Sequence, residues 1–194
     1  MARKAFDPDM VRYAFRTLDG TRVVFREPRR GDAPQFMRLI NEVIDEPSSG
    51  IMIDRRTSLG DEKRWVAGRI EVIRRRRLVM LTAELDGIIK GNCDIIREGW
   101  KKDHRAVLGI VVSKDLRGKG VGEELMRRTI ELAERRLTGI ENIDLSVLDY
   151  NRRAKALYSK LGFVEIARIP RGIREGRRYY DEILMTRPVR QKKR

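Results

Sequence analysis

Apolar positions along this chain come in short punctuated runs, and their period switches between two and about three and a half. Thr21–Arg26 is a brief β-branched and aromatic run and predicts a first strand. Gly31-Asp32 then opens a helix, with Asp32 at its N-cap and Pro34 in its first turn. Phe36, Leu39, Ile40, Val43 and Ile44 follow at helical spacing. Glu46–Gly50 is a loop. A second helix from Asp61 to about Arg77 carries Trp65, Ile70 and Ile73. The run Arg74–Arg77 falls at its C-terminal end, where cations meet the negative end of the helix dipole. Three predicted strands follow: Leu78–Leu85, Ile88–Ile96 and His104–Val112. Asp86-Gly87 marks a hairpin between the first two, and a turn-like stretch around Gly99 separates the next. Helical spacing returns from Gly120 to about Arg136 through Val121, Leu125, Met126, Ile130 and Ala133. Ile143–Leu148 is a strand, and Asn151–Leu161 is a helix closed by Gly162. Phe163–Ile169 and Tyr180–Met185 are the last two strands.

The order β-α-α-β-β-β-α-β-α-β-β predicts a mixed α/β domain with some parallel pairing in its second half. Residues 1–20 mix charges with aromatics up to the turn signal Asp19-Gly20, and read as an N-terminal extension outside the core. One domain is expected over residues 21–187, and a basic, disordered tail over 188–194.

With 194 residues, 41% of them hydrophobic, the chain has enough apolar material for one core, which excludes wholesale disorder. Its longest apolar runs are far too short to cross a bilayer, and no signal-peptide pattern opens it. A cytoplasmic protein without membrane partners is expected. One cysteine, Cys93, and one histidine, His104, rule out a disulfide framework and a cysteine-rich metal site, so no metal is expected. Cys93 sits inside a strand run and reads as a buried structural residue. The net charge of +15 attracts polyanions: nucleic acid, anionic lipid or a phosphorylated cofactor. Because the arginines are scattered, most of that charge reads as surface ion pairing. With Gln and Asn scarce, the composition is thermophile-like.

The most informative stretch is Leu108–Glu124, where an apolar strand runs through a polar turn into an amphipathic helix. The turn, Arg117-Gly118-Lys119-Gly120-Val121-Gly122, is built as an anion cradle. Glycines admit close approach of a phosphate, and the first amides of a helix have no intrahelical acceptor. The helix dipole adds positive potential there. A Walker A loop fails, because Gly118-Lys119 is followed by Gly120 rather than Ser or Thr. A dinucleotide fingerprint fails on spacing and on position in the chain. What remains is Arg-x-x-Gly-x-Gly from Arg117 through Gly120 to Gly122. It resembles the acyl-CoA pyrophosphate loop of the GNAT N-acetyltransferase superfamily. Asn151, then Ala-Leu-Tyr158, then Gly162-Phe163 is similar to that superfamily's next motif. The segment from Gly176 through Tyr180-Asp181 to Met185 looks like the branch that acetylates small amines, amino acids or protein α-amines.

The resemblance implies the GNAT fold: a mostly antiparallel central sheet of six to seven strands with four helices. It implies acetyl-CoA as co-substrate and direct transfer to a primary amine in a ternary complex. The fourth predicted strand would splay from the fifth and offer the backbone of Ile110, Val111 and Val112 to the thioester and pantetheine. The pyrophosphate would lie on the amides of Gly118, Lys119, Gly120, Val121, Gly122 and Glu123, with Arg117. Asn151 would hold the pantetheine arm, and Tyr158 would protonate the departing thiolate. The superfamily's usual glutamates are replaced here by Ala106 and Ser146. By strand alternation His104 shares a face with Ala106, Leu108 and Ile110, and an imidazole is a side chain suited to act as a base. Glu84 and Asp94 are further candidates, and Asp144 would instead orient a residue on the fifth predicted strand. The amine would enter near residues 46–53, where Glu46 and Asp54 favour a cation. Two other readings stay open: a nucleic-acid-binding protein that uses its basic surface, and a non-catalytic acyl-CoA sensor. A homodimer is also open, since dimers are frequent in the superfamily.

Overall fold

A computed structural model of the chain describes residues 11–47 and 49–189. Its elements are β1 (Arg12–Arg16), β2 (Arg22–Arg26), α1 (Ala33–Ile44), α2 (Leu59–Arg74), β3 (Leu78–Leu85), β4 (Ile88–Arg97) and β5 (Arg105–Val112). They continue with α3 (Val121–Arg136), β6 (Asn142–Leu148), α4 (Arg152–Lys160), β7 (Val164–Glu175) and β8 (Arg178–Pro188). The strands form one sheet in the order β1-β2-β3-β4-β5-β6-β8-β7. Every neighbouring pair is antiparallel except β5 with β6.

The sheet is covered on both faces, which explains the unbroken apolar run of β3. Val79, Leu81 and Ala83 face the cluster built on α3, with Leu125, Met126 and Ile130. Met80 faces the other side, with Phe36, Leu39 and Val43 of α1 and Val66 of α2. A strand buried on both faces loses the alternation of a half-exposed one. The β3–β4 hairpin turns on Asp86 (φ 49°) and Gly87 (φ 80°), the two left-handed residues that its Asp-Gly pair predicts.

The sheet has eight strands, one more than expected, because residues 11–20 are not an extension outside the core. Arg12–Arg16 pairs with β2 along its whole length. Tyr13 and Phe15 turn inward between exposed arginines. Phe15 stacks on Phe25 with ring centroids 5.7 Å apart. The Arg128 guanidinium lies 4.9 Å over the Tyr13 ring. At the other end β8 runs through Pro188, and the Val189 N–H donates to the Glu141 carbonyl at 2.8 Å. The first residues of the expected tail therefore belong to the sheet. Residues 1–10 and 190–194 lie outside the described residues.

Asp32 does not cap α1 with its side chain. Its carboxylate is held instead by the buried Arg26, at 2.7 and 3.0 Å, and by the Arg29 N–H at 2.7 Å. Arg26 also donates to Glu84 at 2.6 Å, so one guanidinium ties β2 and β3 to the start of α1. This places Glu84 in a structural network.

Between β5 and β6 the pairing is short. It covers Arg105 with Asn142, Ala106 with Ile143 and Val107 with Asp144, and then stops. β5 continues to Val112 on β4, and β6 continues to Leu148 on β8. The sheet therefore forks, as the expected splay requires. Asp144 closes the base of the fork: Arg105 grips it at 2.6 and 2.5 Å, and Thr186 donates to it at 2.7 Å. Its ion-pair partner, Arg105, is thus on the fourth predicted strand rather than on the fifth, because the short parallel pairing sets Arg105 beside β6 at this end.

If β1 is an integral strand, Phe15→Ala costs roughly 1–3 kcal/mol, less than for a fully buried phenylalanine. For a chain of this size the Tm in a thermal melt then falls by roughly 3–10 °C. An unchanged Tm would mean that the β1–β2 hairpin is dispensable.

Candidate active site

The fork opens towards the glycine-rich turn. Gly118 (φ 81°) and Gly120 (φ 83°) both occupy the left-handed region, so the turn needs glycine at these two positions. α3 begins immediately afterwards, and Val121, at its first position, is fully buried. The N–H groups of Val121, Gly122 and Glu123 have no acceptor within the helix. Glu123 itself turns away to meet Lys160 at 2.7 Å.

The two cations of the turn are not directed outward. Arg117 donates to the Val112 carbonyl at 2.8 Å and pairs with Glu46 at the end of α1. Lys119 pairs with Asp19 on the β1–β2 turn at 2.9 Å. Glu46 is thereby used by the loop rather than turned to an incoming amine, and Asp54 is exposed outside the cavity lining. The cation that does approach the turn is Arg153, in the first turn of α4. Its Nη2 lies 3.4 Å from where a Cβ on Gly118 would stand. Arg153 has no ion pair among the described residues. In the sequence, Arg152-Arg153 after Asn151 looks like an ordinary charged helix start, so only its position opposite Gly118 marks it.

Asn151 sits where β6 ends. Its Oδ1 accepts the Ala154 N–H at 3.1 Å and caps α4. Its Nδ2 faces Gly50, where an added Cβ would come within 2.6 Å, at a φ of 72°. Asn151 thus joins α4, the end of β6 and the loop between α1 and α2.

A cavity of about 650 Å³ lies between α1, α2 and the β4–β5 surface and reaches the fork. Its walls include Val107–Val111 of β5, Ser146 of β6 and Tyr158 of α4. Of the expected strand-end group, Ile110 and Val111 line it, and Val112 lies just beyond and packs on the α3 core. Tyr158 is nearly buried beside Phe163, and among the described residues its hydroxyl has no hydrogen-bond partner. Burial pushes its pKa up to about 12, with the buried Cys93 adding to the shift. Cys93 is fully buried, and its thiol is pushed far up by burial.

Asp94 is the carboxylate that enters this cavity from the sheet. β4–β5 register sets it opposite Gly109, where a Cβ would lie 3.3 Å from its Oδ1. Glycine there leaves room for the acid. Burial raises the Asp94 pKa above the usual carboxylate range, and Arg69, 3.3 Å away, works against that rise. Arg69 is held 5.2 Å over the ring of Trp65, which packs edge-on to Phe36. Glu62, Trp65 and Arg69 are spaced three and four residues apart, so one face of α2 supplies all three to the cavity. Burial also raises the Glu62 pKa, opposed by the Thr57 hydroxyl, which donates to it at 2.9 Å.

His104 is not among these residues. It is exposed in the turn that precedes β5, at the closed end of the fork, and does not line the cavity. The strand starts one residue later than its apolar run suggests, and the turn carries the imidazole away. Ala106 is fully buried in the α3-side core, whereas Ser146 lines the cavity.

Residues 40–163 match the family model described as Acetyltransferase (GNAT) family. The chain belongs to the GNAT family. It is accordingly an acetyltransferase, with the GNAT fold that its motifs imply. It is 27% identical over 148 residues to thialysine N-epsilon-acetyltransferase from Bos taurus, a match covering 72% of this chain and 83% of that one. A GNAT-family acetyltransferase from Streptococcus pneumoniae superposes with a TM-score of 0.77 at 24% identity, covering 86% of this chain and 99% of the other. The yncA protein of Salmonella typhimurium, whose structure holds its cofactor acetyl-CoA, gives a TM-score of 0.77 at 19% identity over 89% and 96% of the two chains. These structures share the fold. No helix among the described residues is long and apolar enough to cross a membrane.

Since Arg117 braces β5 against the end of α1, Arg117→Ala strands a half-buried Glu46. The expected cost is roughly 1–3 kcal/mol, or a Tm lower by roughly 3–10 °C without any ligand. A melt identical to that of the unaltered protein would show that the guanidinium does not support the loop.

Proposed function

We propose that the protein transfers the acetyl group of acetyl-CoA directly to the primary amine of a small molecule held in the α1–α2 cavity. The observation that carries this reading is the position of Asp94 and Tyr158 in one cavity that opens onto the fork. The residues fit acetyl-CoA. The edge Ile110–Val112 has backbone groups that β6 does not pair, suited to the amides of the pantetheine arm. The amides of 118–123 and the Arg153 guanidinium suit the pyrophosphate, with Arg117 holding the turn in shape and Asn151 fixing the edge of the groove.

Acetyl-CoA supplies an activated thioester. The chain's task is to place it and to move two protons. A backbone N–H near Val111 polarises the thioester carbonyl. Asp94 accepts a proton from the incoming ammonium, so that the free amine attacks, the C–N bond forms and the C–S bond breaks. Tyr158 donates its phenolic proton to the departing sulfur; the second proton shed by the new amide nitrogen and the one held by Asp94 pass to solvent, from which Tyr158 is reprotonated. Burial makes Asp94 a stronger base than an exposed aspartate and keeps Tyr158 protonated. This assignment replaces His104, which lies outside the cavity.

The wall of Phe36, Leu39, Ile40 and Trp65 suits a small acceptor with an apolar segment, and the cavity volume is of small-ligand size. The bovine relative is named for the ε-nitrogen of thialysine, so amino-acid amines are the first acceptors to assay.

Steady-state kinetics against pH test this reading. Asp94→Asn lowers kcat/KM by roughly 10²–10⁴-fold and leaves the Kd for acetyl-CoA within about twofold. The wild-type profile carries an acidic limb, because the base must be deprotonated. Removing Arg69 takes away the group that opposes the rise in the Asp94 pKa, so Arg69→Gln moves that limb to higher pH. An Asp94→Asn enzyme with wild-type kcat/KM and an intact limb would overturn the assignment.

A further inference from the structure

We propose that the face formed by the end of α2 and the β4–β5 turn binds a single-stranded polynucleotide, with Trp100 as the stacking platform. Trp100 is 98% exposed and holds a φ of 57°. A bulky side chain in the left-handed region is unfavourable, and this one recovers nothing by burial. The fold therefore gives no reason for a tryptophan here.

The turn that carries it is rigidly braced. Arg97 donates to the Asp103 carbonyl at 2.6 Å, and its backbone N–H donates to the Arg77 carbonyl at 2.8 Å. Arg77 reaches the Glu98 carbonyl and the Asp103 carboxylate. These bonds tie the turn that carries Trp100 to Arg77, just after the end of α2. Arg76 also has a left-handed φ, 55°, in the turn that follows the helix.

The charge on this face is cationic, and three of its cations are unpaired. Arg74, Arg76 and Lys101 are exposed and have no ion pair among the described residues. Lys102 reaches Glu98 only at 3.9 Å, and Arg75 is paired with Glu71 at 2.9 Å. The exposed His104 completes the turn. An open aromatic face among unpaired cations is the arrangement that stacks a base and neutralises its flanking phosphates. An unpaired base is needed, because bases in a duplex are not free to stack on a side chain. A membrane surface fits less well. Binding there needs several apolar side chains on one face, and Trp100 is the only large exposed one among residues 71–77 and 97–105.

This face stands at the closed end of the fork. Seven residues of β5, at about 3.3 Å each, separate Arg105 from Val112, so it lies roughly 20 Å from the open end. Docking there leaves the cavity accessible, and a bound strand would tether the acetyltransferase without entering its site.

The test is fluorescence anisotropy with a fluorescein-labelled 20-nucleotide single-stranded RNA of mixed sequence, titrated with the full chain at several salt concentrations. Trp100→Gly removes the indole and relieves the left-handed residue, so the variant keeps its fold, and a thermal melt checks this. It is expected to raise Kd by roughly 5–100-fold with acetyl transfer unchanged. Replacing Arg74, Arg76 and Lys101 together by glutamine is expected to flatten the slope of log K against log salt by about 2. Equal affinity of wild type and Trp100→Gly for the strand would overturn the proposal. So would equal affinity for the RNA and its duplex, or Trp100-dependent binding to phosphatidylserine vesicles in place of the RNA.

Discussion

Parallel strands normally stay paired until one of them ends, because each unpaired backbone group gives up a hydrogen bond. Here β5 and β6 separate after three residue pairs while each remains bonded to its other neighbour. The remainder of the site depends on that separation. The Arg105–Asp144 pair holds the strands together at the base, and Arg117, drawn onto the Val112 carbonyl, fixes the tip of β5 beside the glycine turn. What lies between is a slot with polar backbone edges that are costly to leave unmatched and that suit an amide-bearing chain. On the proposed reading, the fork turns a sheet into a binding site without an added domain.

The proposed chemistry is set by burial more than by pairing. Asp94 and Tyr158 are both shifted towards their protonated forms by the walls around them. In the proposed mechanism one needs a strong basic character and the other a retained proton, and the same low-polarity surroundings favour both. Arg69 tempers the effect at Asp94, so that carboxylate is set by a balance between desolvation and one cation. The large positive charge of the chain enters this balance little. Much of it is bound in local pairs such as Arg127 with Glu124 and Arg187 with Glu134, as its scattered distribution suggests. The exposed end of α2 is an exception.

The helices, seven of the strands and the glycine turn were legible in the sequence because each depends on local identity: apolar period, turn residues, and glycine where φ is positive. β1 was hidden because Tyr13 and Phe15 alternate with arginines in a stretch rich in charge, and the short apolar half of the pattern reads as noise. Asp94 and Arg153 depend on long-range placement. The first matters because β4–β5 register puts Gly109 opposite it, and the second because α4 returns to the turn at Gly118. His104 failed for a smaller reason. A strand boundary one residue later moves a side chain from the strand into the turn, and no local signal fixes that boundary. The pairing of Arg117 with Glu46 spans 71 positions, a separation that no local pattern encodes.

If the open edge of β5 and the glycine turn together hold acetyl-CoA, amide hydrogen exchange with and without saturating acetyl-CoA shows slowed exchange in peptides covering residues 108–112 and 118–123, with the β1–β2 hairpin and the β4–β5 turn unchanged. Binding that leaves both of those segments at their free rates, with protection elsewhere, would contradict it.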